Sequence, residues 1–101
     1  MLNNLHQKIQ EIHSSDYKFV IVSSGGGSNA IASLLEVPGA SNTVLEAYIP
    51  YAKESLDFYL LKKPDFYCSK ETALRMAAKA YSAAKKIDAE SSRKKLLGIA
   101  I

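Results

Sequence analysis

Three hydroxyls and three glycines lie together in Ser23-Ser24-Gly25-Gly26-Gly27-Ser28. A serine hydroxyl attacks a carbonyl carbon when a neighbouring base takes its proton. Consecutive amides in a glycine turn can instead cradle a phosphate or an oxyanion. The same stretch can also be a Gly/Ser connection that binds nothing. A P-loop is excluded, because no lysine follows the last glycine. Gly25, Gly27 and Ala30 fit a G-x-G-x-x-A spacing. The acidic residue that a dinucleotide fold wants about 20 residues on would be Glu46. Glu46 falls inside the next strand-like run, so this reading is weak. What remains is a serine nucleophile or an anion cradle on the turn.

The elements around the turn would place it where ligands bind. Phe19 to Val22 is a continuous apolar, mostly β-branched run, as in a strand buried on both faces. Ser28 is a good N-cap, and Asn29 to Leu35 reads as a helix. Strand, glycine turn and helix follow one another at once. Open α/β sheets bind ligands at the carboxyl ends of their strands, and a helix N-terminus there favours an anion.

The rest of the chain alternates in the same way. Leu2, Leu5, Ile9 and Ile12 recur at helical spacing. His6 and His13 flank that stripe and read as solvated helix-face residues, since they lack partners at metal-binding spacing. Val37 to Asn42 is a turn. Thr43 to Tyr51 reads as a strand whose pairing should stop near Pro50. Lys53 to Leu61 reads as a short helix closed by Lys62-Lys63-Pro64, and Asp65 to Cys68 as irregular chain or a short strand. Ser69 caps the longest helix. Its stripe would be Ala73, Met76, Ala77, Ala80, Tyr81 and Ala84, rich in alanine for close packing on a sheet. Asp88 to Lys95 is polar, a loop or a helix tail. Leu96 to Ile101 is a second buried-strand run, and a chain that stops there is expected to be part of a larger domain.

Composition narrows the classes. With 101 residues, 48% hydrophobic and 23% charged, the chain is one ordinary globular domain. The net charge of +3 is spread, and Arg93-Lys94-Lys95 is too short a cluster to argue for nucleic acid. No apolar run approaches a membrane span, and Met1-Leu2-Asn3-Asn4 has no signal-peptide pattern. The lone Cys68 forbids an internal disulfide and says nothing against a reducing cytoplasm, the expected location. It precedes a helix N-cap, where a thiol pKa can fall, but nothing nearby in sequence activates it.

The order of short motifs carries a family resemblance. Ser24-Gly25-Gly26-Gly27 after a strand leads to Val37-Pro38-Gly39-Ala40-Ser41. Tyr48-Ile49-Pro50-Tyr51 follows, then Cys68-Ser69 opening an alanine-rich helix, then Gly98-Ile99-Ala100. In this order and spacing, from Lys18 on, the chain resembles the CinA C-terminal domain family, whose active members deamidate nicotinamide mononucleotide. The family's turn reads Glu-Ser-Cys-Thr-Gly-Gly, with the serine as proposed nucleophile. Counted back from Pro38-Gly39, that serine falls on Ser24, and the preceding glutamate is Ser23 here. The family's tyrosine falls on Tyr51. Its lysine falls on Leu56, so the nearest lysine is Lys53, off the matching position. A second half of the family's domain, bearing a functional arginine, would follow Gly98-Ile99-Ala100.

The resemblance implies a three-layer α/β/α domain over 1–101, with a mixed, mainly parallel sheet, incomplete at the C-terminus. It implies a nicotinamide mononucleotide deamidase needing no cofactor or metal. Ser24 would attack the carboxamide, Tyr51 or Lys53 would move the proton, and Gly25, Gly26, Gly27 and Ser28 would bind phosphate or the oxyanion. The missing lysine leaves a second expectation, a non-catalytic nucleotide-binding or assembly module. The expected partners are a small nucleotide and further copies of the chain, not nucleic acid or membrane.

Overall fold

The computed structural model describes residues 2–89 and 95–101. Residues 1 and 90–94 lie outside it, with most of the polar stretch after Asp88 and with Arg93-Lys94 of the basic cluster. Helix α1 (Leu2–His13) is followed by strand β1 (Tyr17–Val22) and helix α2 (Ser28–Glu36). A 3-10 turn (Ala40–Asn42) then leads into β2 (Val44–Tyr48), α3 (Lys53–Leu60), α4 (Lys70–Ile87) and β3 (Lys95–Ala100).

The apolar run becomes the central strand. Phe19, Val20, Ile21 and Val22 are all buried. Successive side chains of a strand alternate between faces, so each face of β1 meets its own helices. Val20 and Val22 pack with Leu56 of α3 and with Met76, Ala80 and Ala84 of α4. Phe19 and Ile21 pack with Ile31 of α2 and with Leu34, Val44, Ala47 and Ile99. The result is a three-layer α/β arrangement on a sheet of order β2-β1-β3. Both strand pairs are parallel, so no antiparallel member of the expected mixed sheet occurs among the described residues.

Details at the boundaries have local causes. β2 stops at Tyr48, two residues before Pro50. Its register with β1 shifts between Phe19 and Val20. α4 starts where expected, with the Ser69 hydroxyl accepting from the Thr72 amide. Its buried seam is Thr72, Met76, Ala80 and Ala84, a strict i, i+4 line. Ala73 and Tyr81 of the expected stripe are exposed. α3 ends one residue early, at Leu60, and Leu61, with a left-handed φ of 60°, closes it.

Two expectations are corrected. The N-cap of α2 is Gly27, not Ser28, and no side chain caps it directly. His13 is not solvated but buried, bonded by Nδ1 to Thr43 Oγ1 at 2.6 Å and by Nε2 to the Leu34 carbonyl at 2.9 Å.

Candidate functional site

The serine-glycine turn sits at the carboxyl end of the central strand. Sheet hydrogen bonds hold it on both sides. The Ser23 amide donates to Tyr48 O at 2.9 Å, and the Ser24 amide donates to Ile101 O at 3.2 Å. Ser23 is fully buried, and its Oγ accepts from the amides of Gly25 and Gly27, both at 3.2 Å. The turn therefore wraps around the Ser23 hydroxyl, which ties down the turn's own amides and leaves the first turn of α2 without a side-chain cap. The signal for this was present in the sequence: a serine two residues before a glycine commonly forms such a hydroxyl-to-amide turn.

Two of the glycines are required by geometry. Gly25 has φ of 139°, where a side chain is strained. A Cβ there would also lie 3.0 Å from the Tyr51 ring. A Cβ on Gly27 would come within 2.8 Å of the Ile101 Cβ. Around Gly26 the space is open.

These bonds divide the expected anion cradle. The amides of Gly25 and Gly27 are engaged by Ser23. Among the described residues the amides of Gly26, Ser28 and Asn29 donate to no protein acceptor. Those three, at the positive end of α2, are the ones free to meet an anion.

The proposed catalytic side chains are only partly brought together. Ser24 is half-buried, and its hydroxyl makes no hydrogen bond among the described residues. Tyr51 lies against the turn at Gly25 and is 79% exposed. The Lys53 ammonium lies 5.7 Å from the centroid of the Tyr67 ring. Tyr67 in turn donates to Asp57 Oδ1 at 3.0 Å. Lys53 thus faces a phenol–carboxylate pair on its own side of α3, and no contact joins it to Ser24. Leu56, at the matching lysine position, is a core residue 3% exposed.

A polar groove lies elsewhere, on the β2 side of α4. It measures about 480 Å³ and is lined by Glu46, Tyr48, Tyr59, Lys79 and Lys86, among others. The Tyr48 and Tyr59 rings lie 5.4 Å apart. The Tyr59 hydroxyl is buried with no partner among the described residues. Burial, and then Tyr48 and the Glu46 carboxylate, push its pKa up to about 12. An unfolded tyrosine titrates near 10, so the folded chain holds this proton more tightly. The resulting stability is complete below about pH 10 and is lost as pH rises through about 12. Tyr59→Phe is expected to flatten the alkaline fall of Tm in that window. At pH 7 it should stabilise the chain by about 1 kcal/mol, because an unpaired hydroxyl is no longer buried and no bond is lost. Tm-against-pH curves that superimpose for the two proteins would refute this.

The remaining features are negative among the described residues. No group of three His, Cys, Asp or Glu could hold a metal ion. No helix is long and apolar enough to cross a membrane. Cys68 is exposed.

Comparison with known proteins finds no matching protein-family model, no matching curated protein and no matching solved structure.

Proposed function

We propose that the chain binds a nicotinamide nucleotide at the β1–α2 turn and turns it over slowly or not at all. One observation carries this: the amides of Gly26, Ser28 and Asn29, unpaired among the described residues, open at the end of the central strand, with the Tyr51 ring lying against the same turn. The amides take the phosphate, and Tyr51 offers an exposed face to a planar ring.

The chemistry of the resemblance is amide hydrolysis. Ser24 Oγ would attack the carboxamide carbon, its proton would pass to a base, ammonia would leave, and water would release the acid. The weak point is the base. Lys53 is turned toward Tyr67, and a buried leucine holds the matching lysine position. These observations favour the non-catalytic binding or assembly reading over the deamidase reading. The same proposal places the chain in the cytoplasm and has it associate with copies of itself.

Calorimetry with nicotinamide mononucleotide should give binding heat. Ammonia release should stay below about 1 per second, well under an ordinary enzyme's turnover. Gly26→Asp puts a carboxylate into open space beside the free amides. It should weaken binding roughly tenfold or more, equivalent to about 1.4 kcal/mol, without unfolding the chain. Absence of binding heat, or turnover of about 1 per second or more, would overturn the reading.

A further inference from the structure

We infer that two copies of this chain join through β3, antiparallel, with the two-fold axis at Gly98. This specifies the self-association proposed above and rests on it.

The two sheet edges differ. The β2 edge is interrupted by a register shift, followed by a buried Pro50, and carries Glu46. Such features blunt an edge against pairing. β3 has none of them. Its six residues pair with β1 in unbroken register, and its only charge is Lys95 at the start. Among the described residues no strand pairs with its outer side. The amides of Lys95 and Ile101 donate to β1-side carbonyls, Asp16 O and Val22 O. By alternation, Leu97 and Ile99 also turn their backbone groups inward. Leu96, Gly98 and Ala100 therefore turn their N–H and C=O groups outward.

The identity of the occupant follows from the order of residues. In antiparallel pairing about Gly98, Gly98 meets Gly98 of the partner copy. Leu96 then lies opposite Ala100, and each outward N–H finds an outward C=O, making about six hydrogen bonds. Leu97 falls opposite Ile99 at a non-hydrogen-bonded position, where side chains pack closest. Both line an open groove of about 640 Å³ with Ile12, Tyr17, Phe19 and Ile21. Leu97 and Tyr17 are each 39% exposed. Pairing extends this apolar face across the two-fold axis. The rim carries both Lys8 and Glu11, so a second copy meets no wall of like charge. The interface is on the order of 1,000 Å², the low end for specific association, so the dimer is weak.

Sedimentation of the intact chain should show reversible dimerisation with a midpoint of roughly tens of micromolar. Geometry is read by disulfide trapping in a Cys68→Ser background. Leu97→Cys and Ile99→Cys variants are mixed under mild oxidation. Directly opposed positions lie about 4.5 Å apart, within disulfide reach. The mixture should cross-link several-fold faster than either variant alone. Leu97→Lys should stay folded by circular dichroism and sediment as a monomer. A dimer whose mixture cross-links no faster than the single variants would overturn the Gly98-centred pairing and leave self-association standing. A folded monomer up to about 200 µM, well above the expected midpoint, would overturn both.

Discussion

Gly98→Ala is expected to destabilise the chain by about 3 kcal/mol, at the upper end of the usual overpacking cost. A Cβ at Gly98 would run into the carbonyl oxygen of Ala77 and the amide nitrogen of Tyr81, and would lie 2.9 Å from the Tyr81 Cα. All three atoms are helix backbone, so no side chain can swing aside. Relief requires α4 to lift from β3. That movement would loosen the seam of Met76, Ala80 and Ala84 against Val20 and Val22, the core of one face of the sheet. For a domain of this size the loss corresponds to a fall in Tm of roughly 12–24 °C. Urea or thermal unfolding, run at low concentration so that association does not contribute, measures it. Ala77→Ser, at a half-buried position on the same helix, is the control and should cost less than about 1 kcal/mol. A Tm within about 2 °C of the parent for Gly98→Ala would mean that the helix is not held at this distance.

The same contact shows where sequence reading works and where it stops. β1 was legible because four successive apolar residues leave few alternatives to a strand covered on both faces. α4 was legible as a helix from its alanines and its Ser69 cap. Its facing is less legible. The expected stripe included Tyr81, which the structure leaves exposed, because the helix meets β3 with its backbone at Ala77 and Tyr81 over a glycine. A hydrophobic pattern reports side chains, and this contact has no side chain on the strand. Gly98 is one glycine within an apolar run that reads as a buried strand, with no local sign that a helix lies on it. The turn was similar. Its position at the end of the central strand followed from strand-glycine-helix order. The division of its amides is half legible: the Ser23–Gly25 spacing allows a hydroxyl-to-amide turn, but only the fold shows that the hydroxyl points inward. Lys53 and Tyr51 are close in sequence, yet the start of α3 turns the lysine toward Tyr67 and leaves the tyrosine at the turn.

His13→Ala is expected to cost about 2–4 kcal/mol, from lost hydrogen bonds and lost packing together. The imidazole ties three elements at once. Its Nε2–H donates to the Leu34 carbonyl near the end of α2, because a carbonyl can only accept. Its Nδ1 is then the acceptor for the hydroxyl of Thr43, which is fully buried at the entrance to β2. The neutral Nε2–H tautomer satisfies both bonds. Gly39, in a left-handed conformation with φ of 102°, passes close to the His13 Cβ. Truncation to alanine leaves a buried hydroxyl with only the long 3.4 Å contact to Ala40 O, and a carbonyl without its donor. It also opens space under the turn. Among the described side chains of α1, Ile9 is the other buried one, so α1 should loosen before the sheet does. Hydrogen exchange should then speed up along α1 and the 39–43 turn more than in β1. Removing both partners tests the bond itself. Thr43→Val added to His13→Ala should cost less than the sum of the single changes, with a coupling of about 0.5–3 kcal/mol. His6→Ala, on the exposed side of the same helix, should stay within about 0.5 kcal/mol of the parent. Equal effects at His6 and His13, or additive costs in the double variant, would show that the helix is held by its apolar contacts and that the buried imidazole contributes nothing specific.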